Sequence, residues 1–127
     1  MPQIVFEGTV FSGEGNGKKF VEMPWVKRQI EEKLGFSPYL GTLNLRLTGK
    51  NAERSLLETA GGLVVEPQAG YYPGVLFRAT IDALECAVVI PIMPNYPRDI
   101  LEVIAQVCLR EHLKLVDGSL VVVSVSV

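Results

Sequence analysis

Between residues 3 and 11 apolar and polar side chains alternate, with Ile4, Phe6 and Val10 on one side and Glu7 and Thr9 on the other. A period of two marks a half-buried strand. The following SGEGNGKK, residues 12 to 19, has too much glycine and lysine for a strand interior and is expected to be an exposed loop. The period then lengthens to four at Val26, Ile30 and Leu34, with Pro24 suited to a first helical turn and Gly35 placed to close the helix in a left-handed C-cap. After the turn residues Ser37 and Pro38, GTLNLRLT returns to a period of two, setting Leu43, Leu45 and Leu47 against Thr42, Asn44 and Arg46. Residues 51 to 60 are expected to form a short helix with Ala52, Leu56 and Leu57 inward, ended by Gly61 and Gly62. The runs LVVEP, GVLFRATID and LECAVVIP are β-branched or alternating and are broken by Pro and Gly, which predicts a meander or hairpin. Pro97 opens a second predicted helix over RDILEVIAQ, and LREHL adds one more turn. The chain closes with DGSLVVVSVSV, where Asp117 and Gly118 predict a tight hairpin turn. Beyond it Val121, Val123, Val125 and Val127 form one face against Ser124 and Ser126.

About six short strands with one or two small helices, in 127 residues, argue for a mainly β domain whose sheet closes into a barrel and so hides its edges. That length suits a single core, and we expect one domain over residues 1 to 127. Apolar residues make up 48% and charged residues 20%, which excludes a disordered chain. A formal charge of −2 lacks the positive surplus that binding a nucleic-acid backbone requires, so no nucleic-acid partner is expected. Cys86 and Cys108 lack CxxC spacing and His112 is the single histidine, which disfavours both zinc and disulfide scaffolds. Neither a basic leader nor an apolar run of the ~20 residues that span a bilayer is present, and the expected setting is cytoplasmic, without a membrane partner.

Four stretches can carry chemistry. In Gly13-Glu14-Gly15-Asn16-Gly17-Lys18-Lys19 alternate glycines allow backbone N–H groups to approach an anion while the lysines supply charge. The P-loop and dinucleotide templates both fail here, because Ser12, Lys18 and Lys19 occupy required Gly or Ser/Thr positions. The competing reading is a hairpin loop with solvated lysines. Thr42 and Asn44, two apart on one strand, present neutral hard oxygens on one face with Cα atoms roughly 7 Å apart. Such a pair suits a Mg²⁺ that arrives with phosphates and keeps several waters, although a merely polar strand face has the same pattern. Glu102 can accept a hydrogen bond from a polyol or ring N–H, act as a base near an attacking hydroxyl, or simply lie on a helix's solvent face. Arg110, in LREH, can fork onto phosphate or join a surface ion pair.

In their order EGTVFSGEGNGKKF, LGFSPYLGTLNLRL, AVVIPIMPNYP leading into ILEVIA, and LREHLKLVDG resemble the archaeal CTP-dependent riboflavin kinases. The resemblance covers nearly the whole chain apart from about residues 50 to 72, and GFSPYLGTLNL is its most specific piece. It implies a six-stranded cradle-loop barrel, riboflavin-synthase-like, with short peripheral helices. It further implies an enzyme that phosphorylates riboflavin to FMN with CTP and Mg²⁺, leaving CDP. On this pattern Glu14, Gly15, Asn16, Gly17, Lys18 and Lys19 wrap the nucleotide, and Cys108, Leu109, Arg110 and Glu111 return to it, with His112 as a further candidate. Thr42 and Asn44 hold the metal, while Pro94 and Glu102 contact the flavin; Thr42, Asn44 and Glu102 carry the catalysis. Three positions depart from the family's pattern: Pro94 for a threonine, Cys108 for a basic residue, and Lys19 for an aromatic. The alternatives are a non-catalytic flavin- or nucleotide-binding barrel, a swapped-hairpin DNA-binding barrel that the acidic charge disfavours, and a kinase of the same family with another donor such as ATP. The terminal valine strand can close the barrel or pair with a neighbour, so a monomer or a weak homo-oligomer is expected.

Overall fold

The computed structural model describes residues 2–13, 16–49, 54–58 and 60–127. Among these residues seven strands form one antiparallel sheet: β1 (Gln3–Phe11), β2 (Leu43–Thr48), β3 (Leu63–Val65), β4 (Gly74–Ile81), β5 (Leu84–Pro91), β6 (Ile100–Ile104) and β7 (Leu120–Ser126). They run in the order β3-β4-β5-β6-β2-β1-β7. Pairing of Ala79 with Val125 and of Thr80 with Ser124 joins β4 to β7 and closes six of them into a barrel. β3 is left outside the ring, paired to the other half of β4's edge through Leu63–Leu76 and Val65–Gly74.

Alternation along the wall sets which side chains fill the barrel. Phe6 and Val10 of β1, Leu43, Leu45 and Leu47 of β2, Leu101 and Val103 of β6, and Val121, Val123 and Val125 of β7 are buried in one cluster inside. A second cluster lies on the outer face, where α1 (Asn16–Glu22) and α2 (Pro24–Leu34) bring Phe20, Val21, Trp25, Val26, Ile30 and Leu34 onto Leu76, Ala87, Val89 and Ile104. The α2 stripe follows the predicted period, and Gly35 closes it at φ 78° with its N–H on the Glu31 carbonyl. The described residues also include two one-turn helices, α3 (Ser55–Glu58) and α4 (Leu109–His112).

Three expectations need correction. The stretch 98–106 is not a helix but carries β6, seated between β2 and β5 with both edges hydrogen-bonded. Its Ile, Val and Leu content suits a wall strand, and burial of 101–105 on both faces removes the polar face that an amphipathic helix needs. The glycine loop is shorter than 12–19, because helix α1 starts at Asn16 and takes up Lys18 and Lys19 so that Phe20 and Val21 can reach the outer core. The Asp117–Gly118 turn forms, but it leads from α4 into β7 instead of joining two paired strands; β7 pairs with β1 and β4. Of the helix expected over 51–60, Ser55–Glu58 is formed with Leu57 buried, and the Ala52 placement lies outside the described residues.

Candidate active site

The inward side chains of β2 are leucines, so Thr42, Asn44 and Arg46 must face outward, and β6 presents Glu102 on the same side by the same alternation. Register then brings them together, with Asn44 opposite Glu102 in the β2–β6 ladder. An outward carboxylate on a barrel wall would ordinarily be solvated, yet Glu102 is only 3% exposed. Two hydroxyls account for this: Thr42 Oγ1 donates to Glu102 Oε1 at 2.9 Å, and the Tyr96 hydroxyl donates to Oε2. Burial, and next the charge of Glu102, push the Tyr96 phenol well above its ordinary range, so it remains a donor.

Above these groups opens a cavity of about 490 Å³, lined by Phe11, Ser12, Gly13, Asn44, Arg46, Asn95, Tyr96, Pro97, Ile100 and Glu102. Gly13 lies so close to Asn44 that a Cβ there would be 2.9 Å from the amide Cγ and Nδ2. On the other side of Thr42 a smaller cavity of about 110 Å³ is bounded by Tyr39, Gly41, Cys108, Leu109 and Arg110. Thr42 lines this smaller cavity, and its bond to Glu102 links it to the larger one. The Tyr39 phenol is raised chiefly by its hydrogen bond with Cys108. Arg110 Nη2 is bonded to Asp117 at 2.9 Å, and Ser12 Oγ donates to the same carboxylate at 3.1 and 3.2 Å. Asp117 thus ties the start of the glycine loop to the segment that begins at Cys108.

Of the residues singled out from the sequence, Thr42, Asn44 and Glu102 meet in one place, and Cys108, Leu109 and Arg110 adjoin them. Glu111 and His112 are exposed on α4, and Lys18 pairs with Glu22 at 3.6 Å. Lys19 lines a separate hollow with Phe20, Met23, Tyr71, Tyr72 and Met93. Pro94 is exposed in the loop whose neighbours Asn95 and Tyr96 line the larger cavity. Glu14 and Gly15 lie outside the described residues, and for Asn16 and Gly17 only the backbone is described, as the first turn of α1. Sequence reasoning passed over Tyr96 and Asp117. The signal for Tyr96 was an aromatic residue in a proline-bracketed loop, and for Asp117 an acid seven residues beyond Arg110, which had been read only as a turn former.

The donor set suits a hard divalent ion that travels with phosphates. Thr42 gives its proton to Glu102 and so keeps oxygen lone pairs for a cation, and the amide oxygen of Asn44 adds a second neutral donor. No cluster of three or more His, Cys, Asp or Glu side chains occurs among the described residues, so they offer neither a carboxylate cage for Ca²⁺ nor a thiolate or imidazole set for a softer metal. Both cysteines are free, and burial pushes the Cys86 thiol up to about 12. Among the described residues no helix is long and apolar enough to cross a membrane.

Comparison with known proteins adds the lineage. Residues 10–125 match the CTP-dependent riboflavin kinase family model, described as a domain of unknown function, DUF120. A riboflavin kinase of Archaeoglobus fulgidus is 40% identical over 127 residues, covering 96% of this chain and 54% of that protein. Riboflavin kinases of Methanosarcina barkeri (38% over 125 residues, 94% of this chain, 56% of that protein) and Pyrobaculum aerophilum (40% over 123 residues, 93% and 59%) are similar in the same way. The chain spans somewhat over half the length of these curated relatives. A match that runs from the end of β1 into β7 and takes in the Thr42, Asn44 and Glu102 cluster shows that the chain belongs to the CTP-dependent riboflavin kinase family.

Proposed function

We propose that this chain transfers the γ-phosphoryl group of CTP to the ribityl 5′-hydroxyl of riboflavin, giving FMN and CDP, in a cytoplasmic setting. The observation that carries the reading is the outward cluster in which Asn44 and Glu102 line a cavity that opens beside Gly13 while Thr42, bonded to Glu102, lines the smaller cavity next to Cys108.

Phosphoryl transfer needs its spreading negative charge neutralised and its attacking and leaving oxygens aligned, with little covalent help from the protein. This chain can meet those needs with few groups. Thr42 and Asn44 would hold Mg²⁺, which when bound offsets phosphate charge. The backbone around Gly13 borders the larger cavity, Cys108, Leu109 and Arg110 border the smaller one that Thr42 lines, and the nucleotide would lie between these two segments, with Glu111 following. The flavin's polyol chain would enter the larger cavity, where Glu102 serves as acceptor. A carboxylate offers about four lone-pair positions; Thr42 and Tyr96 use two of them, so Glu102 can orient a substrate hydroxyl without giving up either partner.

The test is FMN formation from riboflavin with CTP, ATP, GTP and UTP in parallel, each with and without Mg²⁺, resolved by chromatography of the flavins. FMN from CTP alone and only with Mg²⁺ is expected. In the Thr42→Ala, Asn44→Ala double variant, Mg²⁺-supported turnover should fall to background while the circular dichroism spectrum stays that of the folded barrel. Riboflavin or CTP binding without FMN from any donor would instead make this a binding barrel, and FMN from ATP would replace the donor.

A further inference from the structure

We propose that Tyr96 is a positioning residue for phosphoryl transfer: braced by Arg54, it holds the Glu102 carboxylate turned so that one oxygen stays on Thr42 while the remaining acceptor sites serve the substrate hydroxyl. The inference rests on the kinase reading for its consequence, but the grip itself is a property of the folded chain.

The loop from Met93 to Pro97 has no ladder of its own to fix it. Its internal bond, Tyr96 N–H to the Met93 carbonyl, is 3.3 Å long, and Asn95 sits at φ 62°. What holds it comes from 42 residues earlier in the chain. Arg54 Nη2 donates to the Pro97 carbonyl at 2.7 Å and reaches the Tyr96 carbonyl at 3.5 Å; its guanidinium carbon lies 4.9 Å from the Tyr96 ring centroid. The Arg54 backbone N–H bonds the Arg98 carbonyl at 3.0 Å. One residue thus grips three consecutive positions and the ring between them.

This use of an arginine is costly, which is the reason to give it a role. Arg54 is 5% exposed and makes no ion pair among the described residues, and its Nε has no hydrogen-bond partner there. Burial depresses its pKa, partly offset by Tyr96 and Glu58. A leucine or methionine would fill such a place with less desolvation. A guanidinium repays that desolvation only by what its fork and face can fix, and here they fix Tyr96. The ring in turn stands between two hollows, lining both the 490 Å³ cavity and an apolar groove of about 430 Å³ that includes Arg54, Phe77, Ile90, Met93 and Arg98. Were the phenol displaced, Glu102 Oε2 would lose the one donor the described residues give it, and the carboxylate would be free to turn away from Thr42.

The experiment uses the full chain with Tyr96→Phe, Arg54→Lys and Glu102→Met, singly and with the first and third combined. In steady-state kinetics Tyr96→Phe should lower kcat about tenfold or more, as expected for a misdirected catalytic group, while the KM for CTP stays within about twofold. Arg54→Lys, which keeps the charge but loses the fork, should show the same split in weaker form. Urea unfolding without substrates reads the grip separately. The Tyr96→Phe, Glu102→Met double variant should be no less stable than the worse of its two singles, because each single already removes the same contact. Wild-type kcat in folded Tyr96→Phe, or a parallel rise of both substrates' KM values with loss of folded protein, would overturn the positioning role. Additive shifts of the urea midpoint would overturn the grip. If the wild type makes no FMN from any nucleotide, the kinase reading and the catalytic consequence fall together, while the unfolding cycle still decides whether Tyr96 holds Glu102.

Discussion

Asn44 is placed at the cavity by the smallness of its neighbour. With Gly13 against the amide, a methyl group there would sit 2.9 Å from Asn44 Cγ and Nδ2, closer than non-bonded carbons tolerate, so the amide must turn. Because Gly13 is exposed and outside any strand, the fold has no other stake in it. Gly13→Ala should therefore lower FMN formation by roughly tenfold to 100-fold, the usual cost of moving a positioned group by about 1 Å, and leave the melting temperature close to wild type. Kinetics beside a thermal melt of the same variant check this, and wild-type turnover would mean that Asn44 is not needed where it stands. Part of the site was legible in the sequence for simple reasons. Thr42 and Asn44 share a face because a strand alternates, and no folding knowledge beyond that is required. Glu102 could be flagged, but its burial could not, since that depends on Tyr96 arriving from a loop without periodicity. Tyr96 went unnoticed for the same reason: its value lies in where Arg54 holds it, and a pair 42 positions apart leaves no local pattern.

Strands whose two faces differ were readable. β1, β2 and β7 alternate cleanly because one face fills the barrel and the other meets solvent or the site. β6 was misread because it is covered on both faces: Leu101 and Val103 point into the barrel while Ile104 packs under α2, giving an apolar run compatible with a helix. The lysines at 18 and 19 misled in the opposite direction, since two solvated charges concealed a helix that buries Phe20 and Val21. The β4–β5 hairpin was expected, yet its turn uses an unfavourable residue. Asp82 and Ala83 are both left-handed, at φ 48° and 66°, the backbone of a two-residue turn that prefers Asp-Gly. A Cβ in that conformation costs about 1–2 kcal/mol, of which the extra chain entropy of an unfolded glycine takes back a part. Ala83→Gly is thus expected to stabilise the domain by about 0.5–1 kcal/mol, a rise of a few degrees in melting temperature for a domain of this size. Calorimetry would measure it, and a lower melting temperature would show that the turn is not strained.

Antiparallel pairing of β1 with β7 brings the segment after β1 beside the turn before β7, and one carboxylate exploits this. Asp117 accepts from Ser12 across 105 positions of sequence and also binds Arg110, so the entrance to the glycine loop and the start of the Cys108 segment move as a unit. Arg110 first, and Ser12 second, hold the Asp117 carboxyl below its ordinary 3.8. A depressed folded-state pKa means that the clamp's contribution is complete above the unfolded value and is lost only as pH falls through the lower folded value. Between pH 5 and 8 the clamp is fully formed, and any pH dependence of CTP use in that window comes from elsewhere. Asp117 is exposed, so solvent screens the pair and its effect is modest. Asp117→Ala should raise the KM for CTP about two- to fivefold at low salt, with kcat and the riboflavin KM nearly unchanged. The ratio to wild type should be flat from pH 5 to 8 and shrink as salt shortens the screening length. Steady-state CTP titrations at pH 5, 6.5 and 8, each at low and high salt, test both statements. A ratio that varies across that pH range would mean that Asp117 titrates inside it, and so that Arg110 and Ser12 do not hold it ionised. A ratio of one throughout would mean that the two arms of the proposed nucleotide site keep their places without the clamp, positioned by the barrel wall alone.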